Sequence, residues 1–300
     1  MSKKIKKLKY VNKYGVSRSI PAEVKQIVRR RCGFGCVICG LAIYHYEHFD
    51  PVFENLKVKH EPNGITLLCP NHHQNKTSGR LSVETVKKFN AKPKALELGK
   101  VNDLFDLDVK SPTVKIGNFT FKDTPVLIQF EYEPIIKLEL SEEEEQPHLL
   151  SATLRDTNGD IVLEIDKNEW KSSTMNWDCK VEGPRIVIRS APKKVELIIR
   201  TEPPSNLVFE KISMLYKGIF MVCSENMAFN FSLPNGMTFS VESGEIEGGE
   251  VGLHLSSLGV AVGGVMLEYL TDEMKPMKIK PGKSKLNKLS FTNTTDSDKV

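Results

Sequence analysis

Two short knuckles constrain this chain more than any other feature: Cys36-Val37-Ile38-Cys39 and Cys69-Pro70-Asn71-His72, each with two soft ligands separated by two residues and with twenty-nine residues between the pairs. Two such knuckles can close a tetrahedral zinc site of the Cys3His kind. With all four positions filled by protein, such an ion has no open site and serves structure. The other cysteine usage agrees. Six cysteines in 300 residues are too few for a disulfide scaffold, and Cys179 and Cys223 lie far apart in sequence, where they read as small buried hydrophobes. The close spacing of the rest argues for metal ligation.

The length predicts two domains. Residues 40% hydrophobic and 27% charged are ordinary for a soluble globular chain. No apolar run reaches the length of a membrane helix, and the lysine-rich start is not followed by a signal-peptide core, so no membrane association and a cytoplasmic location are expected. The net charge of +4 is unevenly placed: residues 1–31 hold eleven lysines and arginines against the single acid Glu23. Such a block is the footprint of a phosphate-binding surface, or else a solvated tail.

The segmentation follows. Residues 1–18 read as a basic arm. A helix is expected from about Ser19-Ile20-Pro21-Ala22-Glu23 to Gly33, with Val24, Ile27 and Val28 on its buried face. Strands are expected at 42–49 and 65–69, a helix after Cys69 carrying His72-His73, and another from near Ser82 to before Pro93. Residues 19–95 form this first domain, and 96–112 a linker. From 113 to 270 alternating and β-branched runs such as Val126-Leu127-Ile128-Gln129-Phe130 are separated by turn signals such as Asn158-Gly159 and Asn235-Gly236. The expected fold class is therefore α+β: a zinc-stabilised module, then an all-β domain, a sandwich or alternatively a β-solenoid, although no fixed period supports the latter. In that domain His148 and His254 read as ordinary, Trp170 and Trp177 as core or loop anchors, and Glu142 to Glu145 as a solvated loop. Residues 271–300 read as a disordered tail.

Between the knuckles stands Tyr46-Glu47-His48-Phe49-Asp50-Pro51, and directly after the second come His73 and then Lys76. Here the chain resembles the HNH endonuclease family through Cys36, Cys39, Glu47, His48, Pro51, Asn63, Leu68, Cys69, His72 and His73 in order. The resemblance covers residues 20 to 93 only. It implies a ββα-metal module held by a structural zinc on Cys36, Cys39, Cys69 and His72. It also implies that His48 is the general base, that Glu47 and His73 hold a catalytic divalent ion, and that Asn63 braces the loop between the strands. A carboxylate with an imidazole and open positions suits magnesium or manganese, with nickel or zinc as alternatives. Lys76 and the Arg29, Arg30 and Arg31 cluster are candidates for flanking phosphates.

Three departures from the pattern carry consequences. Glu47 stands where Asp is usual, which lengthens the ligand arm. Asn63 lies six residues before Cys69 where five is typical, so His60, otherwise read with His45 as a structural or surface residue, is its rival for a site function. His72 replaces the commoner fourth cysteine. The expected activity is metal-dependent hydrolysis of DNA, double-stranded in the first instance, with a restriction or anti-phage role by analogy of architecture. The competing reading is a non-catalytic, zinc-dependent nucleic-acid-binding protein. The apolar segment 253–270 is a candidate surface for homo-oligomerisation.

Overall fold

The computed structural model describes residues 10–107, 112–139, 148–225, 227–257, 259–263, 265–267 and 283–293. The chain is mixed α+β and mostly β, and it divides into two compact units, residues 1–103 and 104–300.

The first unit begins with residues 10–18, which were expected to be a free basic arm and instead fold back on themselves. Val11 bridges Ser17, and the Arg18 amide donates to the Tyr10 carbonyl. Asn12 is buried and its side-chain amide donates to the carbonyls of Phe53 and Leu56, both at 2.7 Å. One side chain thus pins the arm to a loop forty residues on, something no local pattern announces. Residues 1–9 lie outside the described region.

Helix α1 (Ala22–Arg31) starts directly after Pro21, with Glu23 in its first turn and three arginines in its last, each sign where the helix dipole favours it. Val28 is fully buried but Ile27 is 52% exposed, so the buried face is narrower than expected. Strand β1 (His45–His48) pairs antiparallel with β2 (Ile65–Leu68), placing Glu47 opposite Thr66 and His48 opposite Ile65. All four residues of β2 are buried. That strand is the centre of a core formed with Val28, Val37, Phe49 and Val86. Helix α2 (Pro70–Thr77) follows at once, and α3 (Val83–Ala91) is capped by the Ser82 hydroxyl, which accepts from the Thr85 amide.

The stretch expected as a linker is structured through most of its length. It carries the end of α4 (Lys94–Leu98) and β3 (Lys100–Leu104), and the Ala42 amide donates to the Asn102 carbonyl. Val101 is fully buried, an apolar anchor in a stretch whose Pro and Gly suggested loose chain. Residues 108–111 lie outside the described region.

In the second unit the strands are β4 (Thr113–Ile116), β5 (Phe119–Lys122), β6 (Val126–Phe130), β7 (Glu133–Glu139), β8 (Leu149–Arg155), β9 (Ile161–Asp166), β10 (Glu169–Ser173), β11 (Asp178–Glu182), β12 (Arg185–Ala191), β13 (Lys194–Glu202), β14 (Asn206–Tyr216), β15 (Ile219–Ser224), β16 (Met227–Ser232), β17 (Met237–Glu247), β18 (Val251–Leu255), β19 (Val260–Val262), β20 (Val265–Leu267) and β21 (Lys283–Asn293). One sheet includes the run β20-β19-β18-β6-β7-β8-β9-β10, and the other runs from β11 in sequence order to β17 and then to β5 and β4. Apolar side chains from both meet: Ile128, Phe130 and Leu255 of the first lie by Met214, Tyr216 and Met221 of the second, with the Phe130 and Tyr216 rings edge to face at 5.3 Å.

The second sheet has an unusual seam. One edge of β14 is taken by β13, so its other edge is shared by β4 along Asn206–Phe209 and β15 along Lys211–Tyr216. One edge of β17 is likewise taken by β21, and the other is shared by β16 and β5. The hairpins β4-β5 and β15-β16 therefore lie end to end between the same two long strands. Asn118, in the turn of the first, donates to the carbonyls of Met227 and Glu242 across the seam.

Two stretches of the second unit differ in standing. Within the stretch read as a disordered tail, residues 283–293 form β21 along the whole of β17; an edge strand can be lysine-rich, because edge charges keep it from pairing further, and that composition hid it. The rest of the tail, 271–282 and 294–300, lies outside the described residues, as does the acidic run at 142–145. In the apolar segment 253–270, Leu253, Leu255, Val260 and Val262 are buried within the unit, and residues 268–270 are outside the described region. Trp170 is buried as expected, stacked on Phe105 at 6.2 Å. Trp170→Ala is expected to lower the stability of the second unit by about 3–5 kcal/mol, measured as a drop in its urea midpoint, with metal content at the cysteine cluster unchanged.

Candidate metal centre and cleft

The first knuckle is built by a tight turn. The Gly40 amide donates to the Cys36 carbonyl at 2.8 Å and the Cys36 amide to the Leu41 carbonyl, which brings Cys36 and Cys39 to the same side. Gly40 has φ of 82°, which a side chain would resist. The Val37 amide, donating to the Leu67 carbonyl, ties this turn to β2. The second knuckle is the start of α2: Cys69 is the N-cap, its sulfur accepts from the His72 amide, and Pro70 occupies the first turn.

The two knuckles converge. The ligand atoms of Cys36, Cys39, Cys69 and His72 all lie within 4.8 Å of one another. Cys39 Sγ stands 3.8 Å from Cys69 Sγ, and His72 Nδ1 stands 3.4 Å from Cys36 Sγ and 3.1 Å from Cys69 Sγ. Ligands at the corners of a tetrahedron around zinc stand roughly 3.5–3.8 Å apart, so this Cys3His cluster can hold a metal ion such as zinc. The hydrogen bond from the Cys39 thiol pushes Cys36 down to about 4, while that same bond and burial push Cys39 up. Cys32 is close in sequence but turned into the core toward Thr66, and burial raises its thiol.

Beside this cluster is a cleft of about 370 Å³ lined by Arg18, Tyr46, Glu47, His48, Phe53, Glu54, His73 and Lys76, among others. Strand β1 presents Glu47 and His48, and the first turns of α2 present His73 and Lys76. Glu47 Oε2 is 3.0 Å from His73 Nε2, and Glu47 Oε1 is 2.5 Å from Lys76 Nζ. Adjacent ligands of a hard cation with bonds of about 2.0–2.2 Å stand roughly 3 Å apart. The Glu47 and His73 atoms are thus spaced as neighbouring ligands of one cation would be. Lys76, a candidate for a flanking phosphate, pairs with the second oxygen of Glu47.

His48 Nε2 is 2.8 Å from His60 Nδ1, and His60 Nε2 is 2.8 Å from the Ser17 carbonyl oxygen. Burial, followed by the electrostatic influence of neighbouring His60 and Arg18, pushes His48 down to about 4, so its ring is neutral at neutral pH. A neutral imidazole in a cleft can accept a proton.

Not every expected residue joins the site. Asn63 is exposed in the short turn before β2, where its side-chain oxygen accepts from Arg31 at 3.4 Å, and it does not line the cleft. The brace on that loop is the Gly64 carbonyl, which accepts from the amides of Phe49 and Asp50. Arg29 is buried and donates to the Tyr46 hydroxyl, and Arg31 donates to the carbonyls of Pro62 and Ile65. Both hold α1 to the strands. Arg30 alone of the three is exposed. Successive helix residues point about 100° apart, so three arginines in a row cannot share one surface. Arg18, outside the residues of the family resemblance, also lines the cleft, its guanidinium 5.3 Å from the Phe53 ring. Its only signal was membership of the basic block.

No family model, curated protein or solved structure matches the chain. Among the described residues, no helix is long and apolar enough to cross a membrane.

Proposed function

We propose that the protein is a metal-dependent endonuclease of the HNH type that hydrolyses phosphodiester bonds of DNA. The observation that carries this reading is the cleft in which Glu47, His48, His73 and Lys76 converge beside a Cys3His cluster. Zinc on Cys36, Cys39, Cys69 and His72 serves structure, since the protein fills all four positions. A divalent cation, magnesium or manganese, held by Glu47 and His73 would neutralise charge on the phosphate and the leaving oxygen.

His48 accepts a proton from water as the water oxygen attacks phosphorus. The phosphorus–oxygen bond to the leaving group breaks, its electron pair stays on that oxygen, and a solvent proton completes the alcohol. Arg18 and Lys76 supply positive charge at the cleft, the former toward the incoming strand and the latter beside Glu47. For the second unit, two sheets meeting through apolar faces favour a β-sandwich over a solenoid, in a role of substrate recognition or regulation. A restriction or anti-phage function rests on analogy with nuclease modules joined to such partners.

The test incubates wild type and Glu47→Gln, with zinc content measured in both, with supercoiled plasmid, linear duplex, single-stranded DNA and RNA across several divalent ions. The expected result is cutting of DNA by the wild type in magnesium or manganese. Glu47→Gln should need at least tenfold more cation for the same rate. A protein that retains nucleic acid in a salt-sensitive manner yet cuts nothing under every cation would instead be a zinc-dependent binding module.

A further inference from the structure

With His60 in its neutral form, the distances give the His48–His60–Ser17 chain one direction. A carbonyl oxygen only accepts, so the 2.8 Å contact between Ser17 O and His60 Nε2 requires the proton on that nitrogen. A neutral ring carries one N–H, which leaves His60 Nδ1 as a bare acceptor. His48 Nε2, 2.8 Å away, must then be the donor. We propose that His60, anchored on the Ser17 carbonyl of the folded N-terminal arm, is a positioning residue that fixes the tautomer of His48 with Nε2 protonated, leaving Nδ1 as the nitrogen that accepts the proton from water. This rests on the nuclease reading for its consequence, although the tautomer can be read without it.

The surroundings make the relay rigid. His60 is 8% exposed. Its ring lies nearly parallel to that of Phe53, 12° between planes at 6.4 Å, and Phe53 also packs on the His48 ring at 5.6 Å. Phe53 is held from its other neighbours by Tyr10, stacked at 6.2 Å, and by the Asn12 amide on its carbonyl. Arg18 covers both the Tyr10 and Phe53 rings. The arm therefore contributes a hydrogen-bond acceptor, an aromatic support and a loop clamp to the base. Such an orienting partner normally is a carboxylate or carbonyl bonded directly to the catalytic ring. Here a second imidazole spans the gap. An imidazole in this place fixes orientation without the negative charge that a carboxylate would add beside His48.

The full chain, zinc-loaded, is compared as wild type, His60→Ala and His60→Gln, with His48→Ala to assign the ring signals. A glutamine amide can donate to Ser17 and accept from His48, reproducing the relay. Ring nitrogen shifts are read by NMR, and cleavage by single-turnover and steady-state kinetics. The wild type should show His48 protonated at Nε2. His60→Ala should show mixed tautomers and a roughly 10- to 100-fold lower kcat, with KM and zinc content unchanged, and His60→Gln should recover most of both. The proposal is overturned if the wild-type ring is protonated at Nδ1, if the Nε2 tautomer persists in His60→Ala, or if glutamine fails like alanine with loss of zinc. Should the wild type cut nothing, the nuclease reading fails, and the ring shifts still decide the proposal.

Discussion

His48→Ala is expected to reduce DNA cleavage by about 10²- to 10⁴-fold while leaving zinc content and nucleic-acid binding as they are. Its ring is half-buried at the cleft wall and makes no contact with the zinc-type ligands among the described hydrogen bonds, so its loss removes a proton acceptor without loosening the knuckles. Single-turnover cleavage of supercoiled plasmid, with bound metal measured in parallel, checks this. Undiminished cleavage by the variant would remove His48 from the mechanism. The pH dependence has a definite sign. Burial, with a smaller influence of neighbouring groups, depresses His48 to about 4, so its neutral, accepting form persists below the ordinary imidazole value of 6.5. The acid limb due to this ring should accordingly lie below pH 6.5. Because the unfolded ring takes up a proton that the folded ring refuses, lowering the pH from 6.5 toward 4 should also reduce stability.

The second large effect concerns the cysteine cluster. Stripping the metal with a chelator, or Cys69→Ala, is expected to unfold the first unit and abolish both binding and cleavage, without rescue by magnesium. Three sulfurs and an imidazole whose ligand atoms lie within 4.8 Å of one another could hold a metal ion such as zinc, and an ion bound there would couple its binding free energy to folding. Cys69 also caps α2, which carries His73 and Lys76, so its loss disorders the cleft as well as the cluster. In zinc-finger peptides such coupling amounts to about 10–16 kcal/mol, as large as the whole stability of a typical domain, about 5–15 kcal/mol. Both tryptophans, Trp170 and Trp177, lie in the second unit, so their emission should stay native while helical circular dichroism falls. A chelated protein that keeps its helices and still binds DNA would show that the cluster is dispensable.

What was legible in the sequence is what covalent spacing fixes. The knuckles, the strand before the second of them and the helix after it are local, and their ligand types allow few alternatives. His60 and the arm were not legible in the same way. Their contacts reach from His60 back to Ser17 and from Asn12 forward to Phe53 and Leu56, and neither arm nor loop has a periodic pattern. Asn63 was placed by analogy of position; its side chain accepts from Arg31, while the backbone carbonyl of Gly64 accepts from Phe49 and Asp50. The arginine cluster was read as charge and not as helix faces, which missed that Arg29 and Arg31 point inward. In the second unit the turns announced the hairpins, while the partition of strands between two sheets depends on pairings between distant segments.

The seam in the second sheet bears on how the chain is made. Asn118 cannot complete its hydrogen bonds until Glu242 has emerged, 124 residues later, which at about 5–20 residues per second is a wait of roughly 6–25 s on the ribosome. The unit with the Cys3His cluster has no such wait, since its contacts close within the first hundred or so residues. A nascent chain would thus complete the contacts of its first unit, residues 1–103, well before the seam of the second sheet can close.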